Sequence, residues 1–263
     1  GTVTSSVPNN RMLAATDVWF NSARNASGNT YVFDRLRGWN NLYTPSITTE
    51  DTSYTWNQTN QTTLALVTPT NWWGSSTSQV DYYFKRAPGF MDEVCYSGTG
   101  TTTQNVTHNL GVQPELIIYK TRSNTADWIV HTPSLISQGK FLSLNRSDAA
   151  TDNSVQGYTN SGAPTATLIR PGMTQLNMSG WTYVAYLFAT CAGVSKVGTY
   201  TGTGATQTIS CGFTGGARYV MIKRTDNTGN WWFWDTARGM VAGTDPRLAY
   251  NSSGAENNAN WVY

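Results

Sequence analysis

The sequence is poor in charge. Lys, Arg, Asp and Glu make up 12% of its 263 residues, about half the share carried by an ordinary globular domain. The 17 basic and 15 acidic residues nearly cancel, giving a net charge of +2. No block of Lys and Arg supplies the positive surface that tracks a phosphate backbone, so nucleic acid is excluded as an expected partner.

Cysteine and histidine are scarce as well. Cys95, Cys191 and Cys211 are odd in number and have no CxxC spacing, so neither a zinc site nor a full disulfide framework follows, and free, mostly buried thiols are expected. His108 and His131 are the only histidines. Neither sits in an HExxH motif or beside a Ser or Cys motif that would supply a base, a nucleophile or a metal ligand. Both are expected as hydrogen-bonding surface or strand-end residues, and no metal and no cofactor are expected. The longest apolar run, residues 183–189, is far short of the ~20 residues that span a bilayer. It reads as a buried strand, and no membrane insertion is expected. The opening Gly1-Thr2-Val3-Thr4-Ser5-Ser6-Val7-Pro8 has neither the basic nor the apolar region of a signal peptide.

What the sequence does contain is a vocabulary of strands and turns. Aromatic residues reach 13%, and Thr, Val and Ile favour pleated, half-buried positions, whereas good helix formers are sparse. Gly, Asn and Ser break these stretches at short intervals. An all-β fold of antiparallel strands follows.

The chain also repeats itself. Val80-Asp81-Tyr82-Tyr83-Phe84 matches Val184-Ala185-Tyr186-Leu187-Phe188, and Tyr96-Ser97-Gly98-Thr99-Gly100 matches Tyr200-Thr201-Gly202-Thr203-Gly204, both at an offset of 104. With the register slipped by one, to an offset of 103, Gln104, Val106, Leu116, Ile118, Lys120 and Trp128 meet Gln207, Ile209, Tyr219, Met221, Lys223 and Trp231. A third copy shows when Gly28-Asn29-Thr30-Tyr31-Val32-Phe33-Asp34-Arg35-Leu36-Arg37-Gly38 is laid on Gly229-Asn230-Trp231-Trp232-Phe233-Trp234-Asp235-Thr236-Ala237-Arg238-Gly239 at an offset of 201, so that Asp34 meets Asp235 and Arg37 meets Arg238. The chain is expected to divide into residues 1–91 (an N-terminal segment with an incomplete first repeat), 92–195 (a complete repeat) and 196–263 (a third, shortened repeat). Repeats of about 100 residues are the size of a sandwich domain. The expected architecture is thus a tandem array of antiparallel β-sandwiches of jelly-roll or lectin-like form.

Few residues offer chemistry. Gly98-Thr99-Gly100 and Gly202-Thr203-Gly204 lack the third glycine, the helix and the acidic partner of a nucleotide site, and read as turns. Asp34/Arg37 and Asp235/Arg238 recur at one spacing, but the middle copy has Thr132 and Leu135 there. A catalytic pair would be expected to survive in the complete repeat, so these four residues read as structural clasps. Asp92, Glu93, Glu115 and Asp127 show no pairing that would mark a glycosidase. Trp231-Trp232-Phe233-Trp234 reads as core or as an interface. Trp72 and Trp73, in a polar connection without a counterpart, are the best binding candidates, because an amphipathic ring on a loop can stack on a glycan.

The blocks Phe33-Asp34-x-x-Arg37-Gly38, Leu110-Gly111-Val112-x-Pro114-Glu115-Leu116-Ile117-Ile118, Trp181-x-Tyr183-Val184-Ala185-Tyr186 and Tyr200-x-Gly202-x-Gly204 resemble a repeat domain of tail-fibre-like structural proteins of marine tailed bacteriophages. The resemblance implies a virion surface protein without catalytic residues, partnered by copies of itself and by other virion proteins, with a scaffold or host-attachment role. Host-surface glycan is a further expected partner. A carbohydrate-binding adhesin acting through Trp72 and Trp73 is the alternative reading, and a polysaccharide hydrolase ranks third.

Overall fold

The computed structural model describes residues 16–38, 40–53, 77–152, 162–172, 175–240 and 245–259. These residues are almost entirely β, with one short helix among them, and every strand pair is antiparallel. The all-β class expected from composition is what the chain adopts.

Three meanders share one plan. In the first, β1 (Val18–Ala23), β2 (Tyr31–Asp34) and β3 (Leu42–Tyr43) pair in sequence, and β4 (Gln79–Phe84) covers the free side of β1. In the middle, β5 (Met91–Ser97) and β6 (Val106–Thr107) precede β7 (Leu116–Thr121), β8 (Ile129–His131), helix α1 (Pro133–Ser137) and β9 (Lys140–Ser143). There follow β10 (Thr151–Asp152), β11 (Leu168–Ile169) and β12 (Thr182–Phe188). The strands of this six-stranded sheet run β10-β9-β8-β7-β12-β5, and β6 with β11 forms a small separate sheet. The third meander runs β13 (Tyr219–Ile222), β14 (Trp232–Asp235), β15 (Asp245–Ala249) and β16 (Asn257–Ala259). Its register matches the first, with Tyr219 opposite Asp235 as Val18 is opposite Asp34.

Alternation of side chains explains how the sheets pack, because successive residues of a strand point to opposite faces. Val18, Phe20 and Val32 of the first meander, Ile118, Val130, Val184 and Tyr186 of the middle, and Phe233, Leu248 and Tyr250 of the third meet in a single cluster. The opposite face of the middle sheet, with Ile117, Tyr119, Ala185 and Leu187, packs with Val106 of β6 and Ile169 of β11 in a second cluster. Strand β12 is therefore buried on both faces, which is why residues 183–189 are an unbroken apolar run rather than an alternation. Trp19 and Phe33 stack at 4.7 Å on the outer face of the first meander.

The inner faces of the three segments, expected as separate sandwiches, thus meet in one shared cluster. The polar tips between β1 and β2, between β7 and β8, and between β13 and β14 complete this arrangement as a ring. Ala126 donates its backbone N–H to Ile47 O (3.0 Å), Gly229 to Ser147 O (2.8 Å) and Gly28 to Ser253 O (2.7 Å). A second set repeats the pattern, with Glu50 N–H on Arg122 O (2.8 Å), Ala150 on Thr225 O (2.8 Å) and Glu256 on Arg24 O (2.7 Å). The middle tip docks on the first segment, the third tip on the middle segment, and the first tip on the third. The indole N–H groups of Trp128 and Trp231 reinforce two of these seams by donating to Tyr43 O and Ser143 O, each at 2.8 Å.

Candidate functional site

The largest concentration of buried charge lies at the ends of β2 and β14. Asp34 closes β2, and the chain then turns so that Arg37 donates its backbone N–H to Asp34 Oδ1 at 2.8 Å and Nε to Oδ2 at 2.5 Å. Both side chains are fully buried. Nη1 of Arg37 also reaches Asn40 O (2.9 Å) and Glu50 Oε1 (2.8 Å), and Nη2 reaches Val32 O (3.0 Å). Glu50 in turn accepts from Arg122 Nη2 at 2.9 Å. From the middle sheet, the Tyr186 hydroxyl donates to Asp34 Oδ2 at 2.6 Å.

The third meander repeats this network. Arg238 donates its backbone N–H and Nε to Asp235 at 2.8 and 2.5 Å, Nη2 to Phe233 O at 3.1 Å and Nη1 to Glu256 Oε2 at 3.2 Å. Glu256 pairs with Arg24 at 3.0 Å. The Tyr82 hydroxyl of the first segment donates to Asp235 at 2.5 Å. Burial works against the Arg37 charge, but Asp34 and Glu50 more than offset it, so its pKa rises. Burial also drives the Tyr186 and Tyr82 hydroxyls well above the usual phenol range, which keeps both as neutral donors.

In the middle meander the same turn is built without charge. Thr132 Oγ1 accepts the Leu135 backbone N–H at 3.2 Å and caps α1, with Pro133 in its first turn. The side chain at this position satisfies a backbone donor in all three segments, by a carboxylate twice and by a hydroxyl once. Thr132→Ala should lower stability by about 1 kcal/mol, measurable as a shift in urea midpoint. A fall of less than a few tenths would show that the cap contributes nothing.

This arrangement leaves little for a substrate. The Asp34 and Asp235 oxygens and most guanidinium donors are engaged with other parts of the chain, and the burial excludes water. What the geometry does is join segments: each clasp receives a tyrosine from another segment and hands its arginine to a glutamate that binds a further arginine.

Glu93 on β5 is the exception. It lies opposite Tyr186 in register, is 2% exposed, and neither of its carboxylate oxygens has a hydrogen-bond partner. Burial, with added repulsion from Asp34, pushes its pKa up to about 9, so the group is held neutral at pH 7.

His108 is buried, accepts the Leu110 N–H on Nδ1 and contacts Thr165 O through Nε2, both at 3.2 Å. His131 closes β8, a strand end as expected, but it is fully buried rather than hydrogen-bonded: neither ring nitrogen has a partner, and burial lowers its pKa to about 4. It packs edge-on against Tyr119 because the outer face of the middle sheet is covered. The three cysteines are unpaired but half-buried rather than buried. Trp231, Phe233 and Trp234 are buried, while Trp232 holds the Arg247 guanidinium 3.8 Å above its ring. Trp72 and Trp73 lie outside the described residues.

Sequence reasoning found the four clasp residues and missed Glu50, Glu256, Arg24, Arg122 and the buried role of Glu93. A signal existed for the tyrosines, since Tyr82 and Tyr186 occupy one position of the Val-x-Tyr-x-Phe repeat. Among the described residues, no three His, Cys, Asp or Glu side chains gather as a metal ion requires. No helix there is long and apolar enough to cross a membrane.

No curated protein and no solved structure matches the chain. A family model described as a domain of unknown function, DUF7483, matches residues 47–262. That match spans the middle and third meanders with both halves of their shared seam, and by it the chain belongs to the DUF7483 family.

Proposed function

We propose that this chain is a structural component of a virion surface, tail-fibre-like or capsid-attached, with a scaffold or host-attachment role. The observation that carries the reading is the use made of buried charge. Asp34, Arg37, Asp235 and Arg238 serve to lock segments together, and the tyrosines that reach them come from neighbouring segments. Buried ion pairs of this kind add little net stability, and their value lies in fixing one arrangement among alternatives. A rigid, weakly charged β body suits a particle surface, and the resemblance to phage tail-fibre-like repeats supports the same conclusion.

The test is mass spectrometry of purified tailed-phage particles that encode this chain, combined with imaging of particles bearing a labelled copy. The chain is expected in the particle, with its density outside the capsid or tail. Its absence from particles would overturn the proposal. Glycan-array binding lost on Trp73→Ala would replace it with the adhesin reading. Turnover of host polysaccharide abolished by a single carboxylate substitution would replace it with a hydrolase.

A further inference from the structure

The middle and third segments differ at one edge. In the first meander β4 covers the outer side of β1, and in the middle β12 covers that of β7. Among the described residues β13 pairs with β14 alone. The two covering strands share one pattern and one register. Phe84, Tyr82 and Val80 face Val18, Phe20 and Ser22, just as Phe188, Tyr186 and Val184 face Leu116, Ile118 and Lys120. Strand β1 is buried throughout, whereas every residue of β13 is only half-buried.

A second observation comes from residues 194–209. In the middle segment the corresponding stretch is held by the chain leading into β12. The Tyr96 ring stacks on Tyr183 at 4.9 Å, Asn177 accepts the Thr99 N–H, and a Cβ on Gly98 would lie 2.2 Å from Met178 O. In the third segment Tyr200 is 52% exposed, Ile209 is 49% exposed, and Gly202 has nothing within 4 Å of such a Cβ. The local turn is nonetheless already formed: Gly204 has φ +76° against +73° at Gly100, and Gln207 Nε2 reaches Thr201 O at 3.0 Å as Gln104 reaches Ser97 O. The receiving side is shaped, and its apolar residues face outward.

We infer that the outer edge of β13 is a docking edge for one extended strand of the β12 type, carrying Val, Tyr and Phe at alternate positions and contributed by a further repeat of this family. The strand lies antiparallel to β13, with its Phe opposite Tyr219 and its Tyr opposite Met221. It runs between β13 and the stretch through Tyr200, covering that ring as Tyr183 covers Tyr96. Its tyrosine hydroxyl then points to the next clasp position in the ring, Thr132, which is half-exposed where Asp34 and Asp235 are buried. Main-chain bonds along the edge give affinity, and the alternate side chains fix register.

The experiment uses the 263-residue chain and a synthetic peptide of residues 181–189 with added terminal lysines. Saturable binding is expected, together with slowed amide exchange at residues 219–222 and 197–209. A control peptide carrying Val184→Ser, Tyr186→Ser and Phe188→Ser should bind at least about ten-fold more weakly. Equal binding of the two peptides, or unchanged exchange at β13, would overturn the inference. So would protection of β13 in the free chain that rises with protein concentration alongside self-association in sedimentation, which would assign the edge to a second copy of the chain. None of these readouts depends on where the protein resides, so the result is separable from the virion reading.

Discussion

Arg37→Leu should destabilise the protein by about 3 to 5 kcal/mol, because it strands a buried carboxylate rather than merely removing a contact. Asp34 would keep the backbone N–H at position 37 and the Tyr186 hydroxyl as partners but lose the guanidinium that pairs with it, and Glu50 would lose one of its two arginines. For a chain of this size that corresponds to a fall in Tm of roughly 10 °C. The informative companion is the double variant Asp34→Thr, Arg37→Leu, which writes the Thr132 and Leu135 pair of the middle segment into the first. There the turn still has its side-chain acceptor and no charge is left unpaired, so stability should return to within about 2 kcal/mol of the parent. Thermal and urea unfolding of the parent, both singles and the double give the coupling directly. A double variant as unstable as Arg37→Leu would show that the charge itself, rather than its pairing, holds the first seam.

Glu93→Gln should stabilise the protein, increasingly so as pH rises. The folded-state pKa of Glu93 is raised to about 9 by burial and by Asp34, with a further raising contribution from Asp17 and lowering ones from Arg86 and Arg37. Below about pH 4.5 the carboxyl is protonated in both folded and unfolded chains and contributes nothing to the difference. Above that, the unfolded chain releases the proton while the folded chain keeps it, so stability falls as pH rises towards the folded pKa. Glutamine removes this dependence, and the variant should exceed the parent by about 2 to 4 kcal/mol near pH 8 while nearly matching it near pH 4. Urea titrations at a series of pH values read the gap. A gap that does not grow with pH would mean that Glu93 ionises in the folded chain without penalty.

Much of the strand content was legible from local pattern. The repeated Leu116, Ile118 and Lys120 fell in β7 and their counterparts Tyr219 and Met221 in β13, and the apolar run at residues 183–189 became β12. The clasp was legible because Asp and Arg three residues apart at a strand end form a local turn, which a repeat of sequence reveals. Glu50 and Arg122 are 72 positions apart, and Arg24 and Glu256 are 232 apart. No local rule connects such residues. His131 shows the same limit: it is buried beside Tyr119 of the neighbouring strand, and nothing next to it in the chain announces that burial.

The sequence by itself determined that the chain is β, that its segments repeat, and that Asp34 and Asp235 end their strands in a shared turn, since these follow from side-chain alternation and from hydrogen bonds within a few residues. Only the tertiary structure decided that the three segments pool one core and pass tips, tyrosines and arginines to one another in a ring. The reason is physical. A strand needs a covered face wherever the covering comes from, and the identity of the partner is set by long-range packing that no single stretch of residues encodes.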